Sequence, residues 1–94
     1  MKVIGAKVST GEYKGNNYCN VMIYGTYPIK DGEGVGVAVT SEKVKHSVLC
    51  EILGEKAITQ AVIQKRLIGK NLGFAYNKYQ QVTYITEMPE ETAG

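Results

Sequence analysis

Residues 18–24, YCNVMIY, alternate without a break. Side chains on a strand point to opposite faces with a period of two. Cys19, Val21 and Ile23 therefore share one face, and Tyr18, Asn20, Met22 and Tyr24 share the other. Three consecutive apolar positions are enough to anchor a strand to a core. The opposite face then carries two tyrosines, an asparagine and a methionine where a plain surface strand would carry Lys, Glu or Thr. The chain must build a sheet whose second face has an occupation of its own.

The neighbouring segments supply the rest of such a sheet. KVIGAKVS alternates with Ile4, Ala6 and Val8 on one face and Gly5, Lys7 and Ser9 on the other, which predicts a half-buried strand. TGEYKGNN reads as a turn-rich loop with Gly11 and Gly15, placing Tyr13 in the loop beside Lys14. PIKDGEG is a turn, with Pro28 and Asp31-Gly32 supplying its geometry. VGVAVT predicts a third strand with Val35, Val37 and Val39 inward, leaving a flat face at Gly36 and Ala38.

Ser41 then has the character of a helix N-cap, with Glu42 in the first turn. Val44, Val48, Leu49, Ile52 and Leu53 follow at helical spacing, and Gly54 suits the C-terminal stop. A second helix is expected over 55–66, although the β-branched residues of AITQAVIQKRLIG compete as a strand. KNLGFAYN is a strand with Leu72, Phe74 and Tyr76 on one face and Gly73 and Ala75 on the other, and NKYQ turns into a last strand, QVTYIT. Phe74, Tyr76 and Tyr84 are expected in packing. The predicted chain is mostly β with one or two helices, in the order β-β-β-α-β-β. A five-stranded OB-like Greek-key barrel has this order, with its helix between strands three and four. A small α+β sheet of another topology is the alternative.

Ninety-four residues make one domain, expected over 1–86, followed by a short acidic flexible tail at 87–94. Two cysteines, Cys19 and Cys50, are too few for a disulfide scaffold and read as reduced thiols. The alternating start MKVIGAKVST is unlike a signal peptide, and no apolar run approaches a membrane span, so the expectation is a cytoplasmic protein without a membrane partner. The formal net charge is +2. Nine acids less Glu87, Glu90 and Glu91 of the tail leave six in residues 1–86, against eleven Lys and Arg. A basic body suits a polyanionic partner.

Catalysis has little to work with. The single histidine, His46, falls on the predicted first helix, where its side chain and that of Ser47 point apart. Cys50 lies four residues on, close enough for a Cys–His contact or half of a metal site, but a four-ligand zinc site would need more donors. GEGVG leads into a strand, whereas phosphate cradles need their glycines to open a helix. No catalytic residue, metal ligand or cofactor is therefore expected, and an enzyme is not.

What remains is a set of aromatics interleaved with basic and amide side chains. The first hairpin supplies Lys7, Tyr13, Lys14, Asn16, Asn17, Tyr18, Asn20, Tyr24 and Tyr27; the last supplies Lys70, Phe74, Tyr76, Lys78 and Tyr79. Single strands of nucleic acid are held by such parts. Every base has a π-face on which a ring can stack without reading sequence. Lysines beside the rings neutralise phosphates and release counterions. Tyr13, Tyr18 and Tyr24 are the expected platforms, and Lys7, Lys14, Lys70 and Lys78 the expected phosphate contacts, with Asn17, Asn20 and Tyr79 beside them.

The stretch KVIGAKVSTGEYKGNNYCNVMIYGTYPI resembles the N-terminal part of the filamentous-phage type of single-stranded DNA-binding protein. The resemblance rests on Ser9, Gly11, Gly15, Tyr18, Tyr24, Tyr27 and Pro28 and covers about a third of the chain. It implies an OB-fold, a homodimer and cooperative coating of single strands, with Tyr18 and Tyr24 in or near the DNA groove. Residues 41–66, helical by pattern, depart from that family, and plasmid- and phage-encoded OB proteins with a helix between strands three and four are an equally good comparison. The acidic tail is similar to the ends of bacterial single-strand binding proteins but lacks their terminal aromatic.

The expected function is sequence-nonspecific binding of single-stranded nucleic acid, DNA before RNA, in phage or plasmid DNA metabolism. The alternative is a small protein-interaction module, an adaptor or inhibitor that uses the Tyr-rich hairpin face. Tyrosine gives protein interfaces large contact area at low entropic cost.

Overall fold

A computed structural model describes residues 1–29 and 32–89. Strands β1 (Lys2–Tyr13), β2 (Asn16–Pro28) and β3 (Val37–Lys45) form one antiparallel sheet in that order. Helix α1 (His46–Leu53) follows directly. Helix α2 begins as an α turn (Gln60–Val62) and widens into a π turn (Ile63–Leu67). Strands β4 (Leu72–Tyr76) and β5 (Val82–Glu87) make a second antiparallel sheet. The order β-β-β-α-β-β is the one expected, and the segment that could have been strand or helix is helix.

The two sheets meet at the start of β1. Its first residues pair with β2 on one side and with the approach to β4 on the other. Val3 N–H donates to Lys70 O at 2.9 Å, Leu72 N–H donates to Met1 O at 2.7 Å, and Lys2 and Asn71 form an antiparallel bridge. At the far rim the Tyr76 hydroxyl donates to the Glu42 carboxylate, tying β4 to β3. Among the described residues the strands do not close into a barrel.

The core lies between the sheets and under the helices. Val3, Val21, Ile23 and Val44 come from the first sheet, Leu72, Val82 and Ile85 from the second, and Leu49, Ile58 and Leu67 from the helical segment. No polar side chain is buried among the described residues. Two β-bulges set which residues reach this core. Val3 opposes Gly25 and Gly5 opposes Tyr24, so Ile4 is the extra residue of a bulge. The bulge brings Val3 inward beside Ala6 and leaves Ile4 exposed, where simple alternation had put Ile4 inside. Ala75 opposes Tyr84 and Tyr76 opposes Val82, which makes Thr83 the extra residue of the second. Val82 and Ile85, three apart, both point inward for that reason. Tyr84 faces out, contrary to its expected packing role, while Phe74 packs against the core as expected.

The largest departure is in β3. Its strand runs on through Ser41, Glu42, Lys43 and Lys45, so Ser41 is no helix cap; Lys45 holds the N-cap position without a side-chain bond. Val44 opposes Val21 and is buried. With Val44 inward, period-two geometry sends Val35, Val37 and Val39 outward, and they are 91%, 61% and 72% exposed. The inward valine row expected from VGVAVT is thus inverted. Gly54 stops α1 in the left-handed region (φ 69°), its N–H on Glu51 O, as the sequence predicts. α2 opens at Thr59, whose hydroxyl accepts from Val62 N–H at 3.3 Å, later than the expected 55.

Glu87 ends β5; the next N–H, of Met88, donates to Asn71 O, and Asn71 Nδ2 donates to Pro89 O. The remainder of the expected tail, with Glu90 and Glu91, and Asp31 of the expected turn lie outside the described residues. No described helix is long and apolar enough to cross a membrane.

Candidate nucleic-acid interface

The hairpin β1–β2 does not end in a loop. Pairing continues to Tyr13 opposite Asn16, and Lys14 (φ 51°) and Gly15 (φ 78°) alone make the turn. Two consecutive positive φ values are those of a type I′ turn, whose twist matches the flanking strands. Tyr13 is therefore the last residue of β1, not part of a loop, and the Lys14 ammonium lies 5.4 Å from its ring centre. Beyond Val8 and Cys19 the hairpin contributes nothing to the buried core and projects as an arm.

Register places the side chains of the outer face in rows across three strands. Gly5, Tyr24 and Ser41 form one; Lys7, Met22 and Lys43 the next; Ser9, Asn20 and Lys45 the third. On the arm Gly11 faces Tyr18 and Tyr13 faces Asn16. A Cβ at Gly11 would overlap the Tyr18 ring, so the ring lies flat over the glycine and is seated by it. Tyr18 is 44% exposed and Tyr13 67%, while Tyr24, at the centre of the sheet, is half-buried. An open groove of about 540 Å³ runs over this face, lined by Ser9, Tyr13, Asn16, Asn17, Tyr18, Asn20, Met22 and Lys43.

The electrostatics of the face follow from the same parity. From the arm to the Tyr24 row it carries Lys7, Lys43 and Lys45 and no carboxylate; Lys2, opposite Thr26, stands at its other end. Glu12 and Glu42, the acids of these strands, register with Asn17 and Ile23 on the opposite side. The distance from Tyr18 to Tyr24 is six residues along one strand, about 20 Å at the usual antiparallel rise. The strip is a row of aromatic and thioether surfaces edged by cations. It can take up planar, apolar rings in a line and balance negative charge beside them.

Of the residues expected from sequence, Lys7, Tyr13, Tyr18, Asn20 and Tyr24 share this face, Asn17 lines its groove, and Lys14 stands at its tip. Lys70, Lys78 and Tyr79 are elsewhere. Lys70 precedes β4 and lies 3.8 Å from Glu87; Lys78 caps the Tyr79 ring at 5.1 Å in the β4–β5 turn. The flat patch at Gly73 is not open either, because Met88 covers it: its sulfur would stand 2.6 Å from a Cβ there. Lys43 and Lys45 were missed because Ser41 and Glu42 resemble a helix start. The period-two continuation of TSEKVK, with Val44 inward, was the signal for them.

His46 has a structural task. Its Nε2 accepts from Ile58 N–H at 3.2 Å, which leaves the ring proton on Nδ1, 3.6 Å from Cys50 Sγ. The Cys–His contact allowed by the spacing is made, and it fastens the α1–α2 connection. Among the described residues no three His, Cys, Asp or Glu side chains gather as metal ligands. Tyr76, 48% exposed, has its hydroxyl set against Glu42. Partial burial, followed by the hydrogen bond to the carboxylate and its charge, pushes the phenol up to about 12.

Comparison with protein-family models, with curated proteins and with solved structures finds no match to this chain.

Proposed function

We propose that the chain binds single-stranded DNA, without strong sequence preference, along the outer face of the β1–β2–β3 sheet. The observation that carries the reading is the composition of that face from the arm to the Tyr24 row: tyrosines and a methionine in line, three lysines and no carboxylate. Tyr13, Tyr18 and Tyr24 stack bases. Met22 gives them an apolar bed, and Asn16, Asn17 and Asn20 bond to base edges or sugars. Lys7, Lys14, Lys43 and Lys45 meet phosphates. A strip of this length holds about four nucleotides, the lower end of the range for OB folds. The element order, and the Lys2–Asn71 bridge that lays the approach to β4 beside β1, support an open form of the OB-like Greek-key barrel. The role that fits is protection or presentation of single strands in the cytoplasm, during phage or plasmid DNA metabolism.

The test is a fluorescence anisotropy titration of labelled oligo-dT, oligo-U and duplex. Oligo-dT should bind in the micromolar range or tighter at low salt, and the duplex more weakly. Stacking contributes about 1–3 kcal/mol per base, so Tyr18→Ala with Tyr24→Ala should weaken binding about 30-fold or more. Absence of oligo-dT binding at low salt sinks the proposal, as does a double variant that binds like the native chain. In either case the tyrosine face is better read as a protein contact.

A further inference from the structure

A second groove, of about 370 Å³, opens where β1 meets α2. Gly5 faces outward opposite Tyr24 and Ala6 packs toward the core, so a groove lined by both follows the edge of β1. The edge away from β2 is paired only at its start. Val3 N–H donates to Lys70 O and Gly69 N–H donates to Val3 O; no backbone bond reaches this edge beyond Val3 among the described residues. The opposite wall is α2, with Gln60, Ile63, Gln64 and Ile68. None of the described residues lining the groove is charged.

Two features mark this groove as more than a gap between elements. The first is Gly5. Glycine weakens a strand, and inside one it often marks the close approach of a ligand or another backbone. Four described glycines lie within strands. Gly11 makes room for the Tyr18 ring, Gly25 for Met1 and Gly73 for Met88. Gly5 makes room for nothing in the chain: a Cβ there would meet no atom within 4 Å, and its φ is not positive. The second feature is the π turn. At 3.6 residues per turn, side chains five apart on an α-helix stand about 140° from each other. Here Ile68 N–H donates to Ile63 O at 3.0 Å and closes a wider turn, which sets Ile63 and Ile68 along one wall. Such turns are frequent at functional sites.

The chemistry of the walls selects the ligand. Gln60 and Gln64 are exposed, four residues apart on α2, and neither side chain makes a hydrogen bond among the described residues. Each carboxamide offers two N–H donors beside one acceptor. Uncharged walls do not suit a phosphate or a carboxylate. Isoleucine surfaces with two carboxamides suit a flat, neutral ring that carries a donor next to an acceptor. Adenine has this pair at N6 and N7, and one glutamine carboxamide meets both at once. We propose that the groove between β1 and α2 is an adenine subsite at the end of the single-strand path. The path is continuous, because Gly5 stands in one row with Tyr24 and Ser41 on the outer face and also lines the groove. A strand stacked on Tyr24 crosses β1 where no side chain blocks it, and its next base enters the groove. One glutamine takes N6–H and N7 of that base while Ile63 and Ile68 cover its ring. This inference rests on the strand-binding reading and adds to it a base preference at one position.

Anisotropy with two labelled probes tests it: oligo-dT, and the same oligo-dT with one dA at its centre, long enough to fill the tyrosine strip on either side. The dA probe should bind the native chain about tenfold more tightly, the scale of one bidentate base contact. 7-deaza-dA in the same place lacks the N7 acceptor and should lose that gain, and dC should show none. Gln60→Ala with Gln64→Ala should bring the two probes to equal affinity, with an unchanged circular dichroism spectrum because both side chains are exposed. Gly5→Val should do the same, since its side chain has room to stand and closes the crossing. Oligo-dT binding with no gain from dA overturns the subsite and leaves the strand-binding reading in place. Absence of binding by either probe removes that reading and the subsite with it. An equal gain from dC overturns the choice of adenine. A gain that survives in 7-deaza-dA, or in either variant, overturns the assignment to this groove. The 7-deaza probe needs no altered protein, so it decides even where a variant fails to fold.

Discussion

The lysines of β3 give the sharpest test of the proposed interface, because their position follows from the register and from nothing else. Lys43 flanks Met22 and Lys45 flanks Asn20 on the outer face. With Lys7 on β1 and Lys14 at the hairpin tip, four cations can neutralise phosphates of a bound strand. Each phosphate neutralised on a single strand contributes about −0.7 to the slope of log affinity against log salt, giving about −2.8 in all. Affinity should then fall about 50-fold between about 50 and about 200 mM salt. Replacing Lys43 and Lys45 together by Gln should halve the slope to about −1.4 and the fall to about 7-fold. The assay is anisotropy of labelled oligo-dT over a salt series. Lys70→Gln with Lys78→Gln is the control, since those lysines belong to the second hairpin. The reasoning is refuted if the Lys43/Lys45 variant keeps the native slope, or if the control lowers it by as much.

Two further outcomes concern stability. His46→Ala leaves the buried Ile58 without the acceptor for its N–H and should cost about 1–3 kcal/mol in urea unfolding, where a loss below about 0.5 would deny the imidazole its task. Tyr76 has a phenol raised to about 12 in the folded chain, above the ordinary 10, so its contribution is complete below about pH 10 and is lost as pH rises through 12. Tyr76→Phe should therefore be less stable than the native chain at neutral pH, with the gap closing between about pH 10 and 12. A gap that stays constant with pH in thermal melts would contradict the Glu42 contact.

Where one period ruled a segment, the sequence could be read directly. Cys19, Val21 and Ile23 gave β2 its inner face, and Tyr18, Met22 and Tyr24 stand on the outer one. Gly54 marked the end of α1 because a left-handed residue was needed there. The misreadings arose where two signals shared the same residues. Val44 fits a helix with Val48 and a strand opposite Val21; pairing with β2 decided for the strand, carrying Lys43 and Lys45 onto the outer face. The bulges at Ile4 and Thr83 shift parity by one residue, and no local residue type announces them. The valine row VGVAV looks like a core strand by composition, yet its parity is fixed by Val44, five residues beyond its last valine. Grouping Lys78 and Tyr79 with the first hairpin failed for a simpler reason: similar composition does not bring two hairpins onto one surface.

The arm of the β1–β2 hairpin holds together by its ladder and its tight turn, while the body of the same two strands is sealed under Val3, Val21 and Ile23. One pair of strands thus carries two exchange regimes. Amides near Tyr13 and Asn16 open by fraying, on a free-energy scale far below that of the whole domain, whereas those beside Ile23 wait for global unfolding. A strand laid over Tyr13 and Tyr18 would slow deuterium uptake in the arm and barely alter it in the body. Site-resolved exchange would then report occupancy of the groove with the protein's own backbone as the probe.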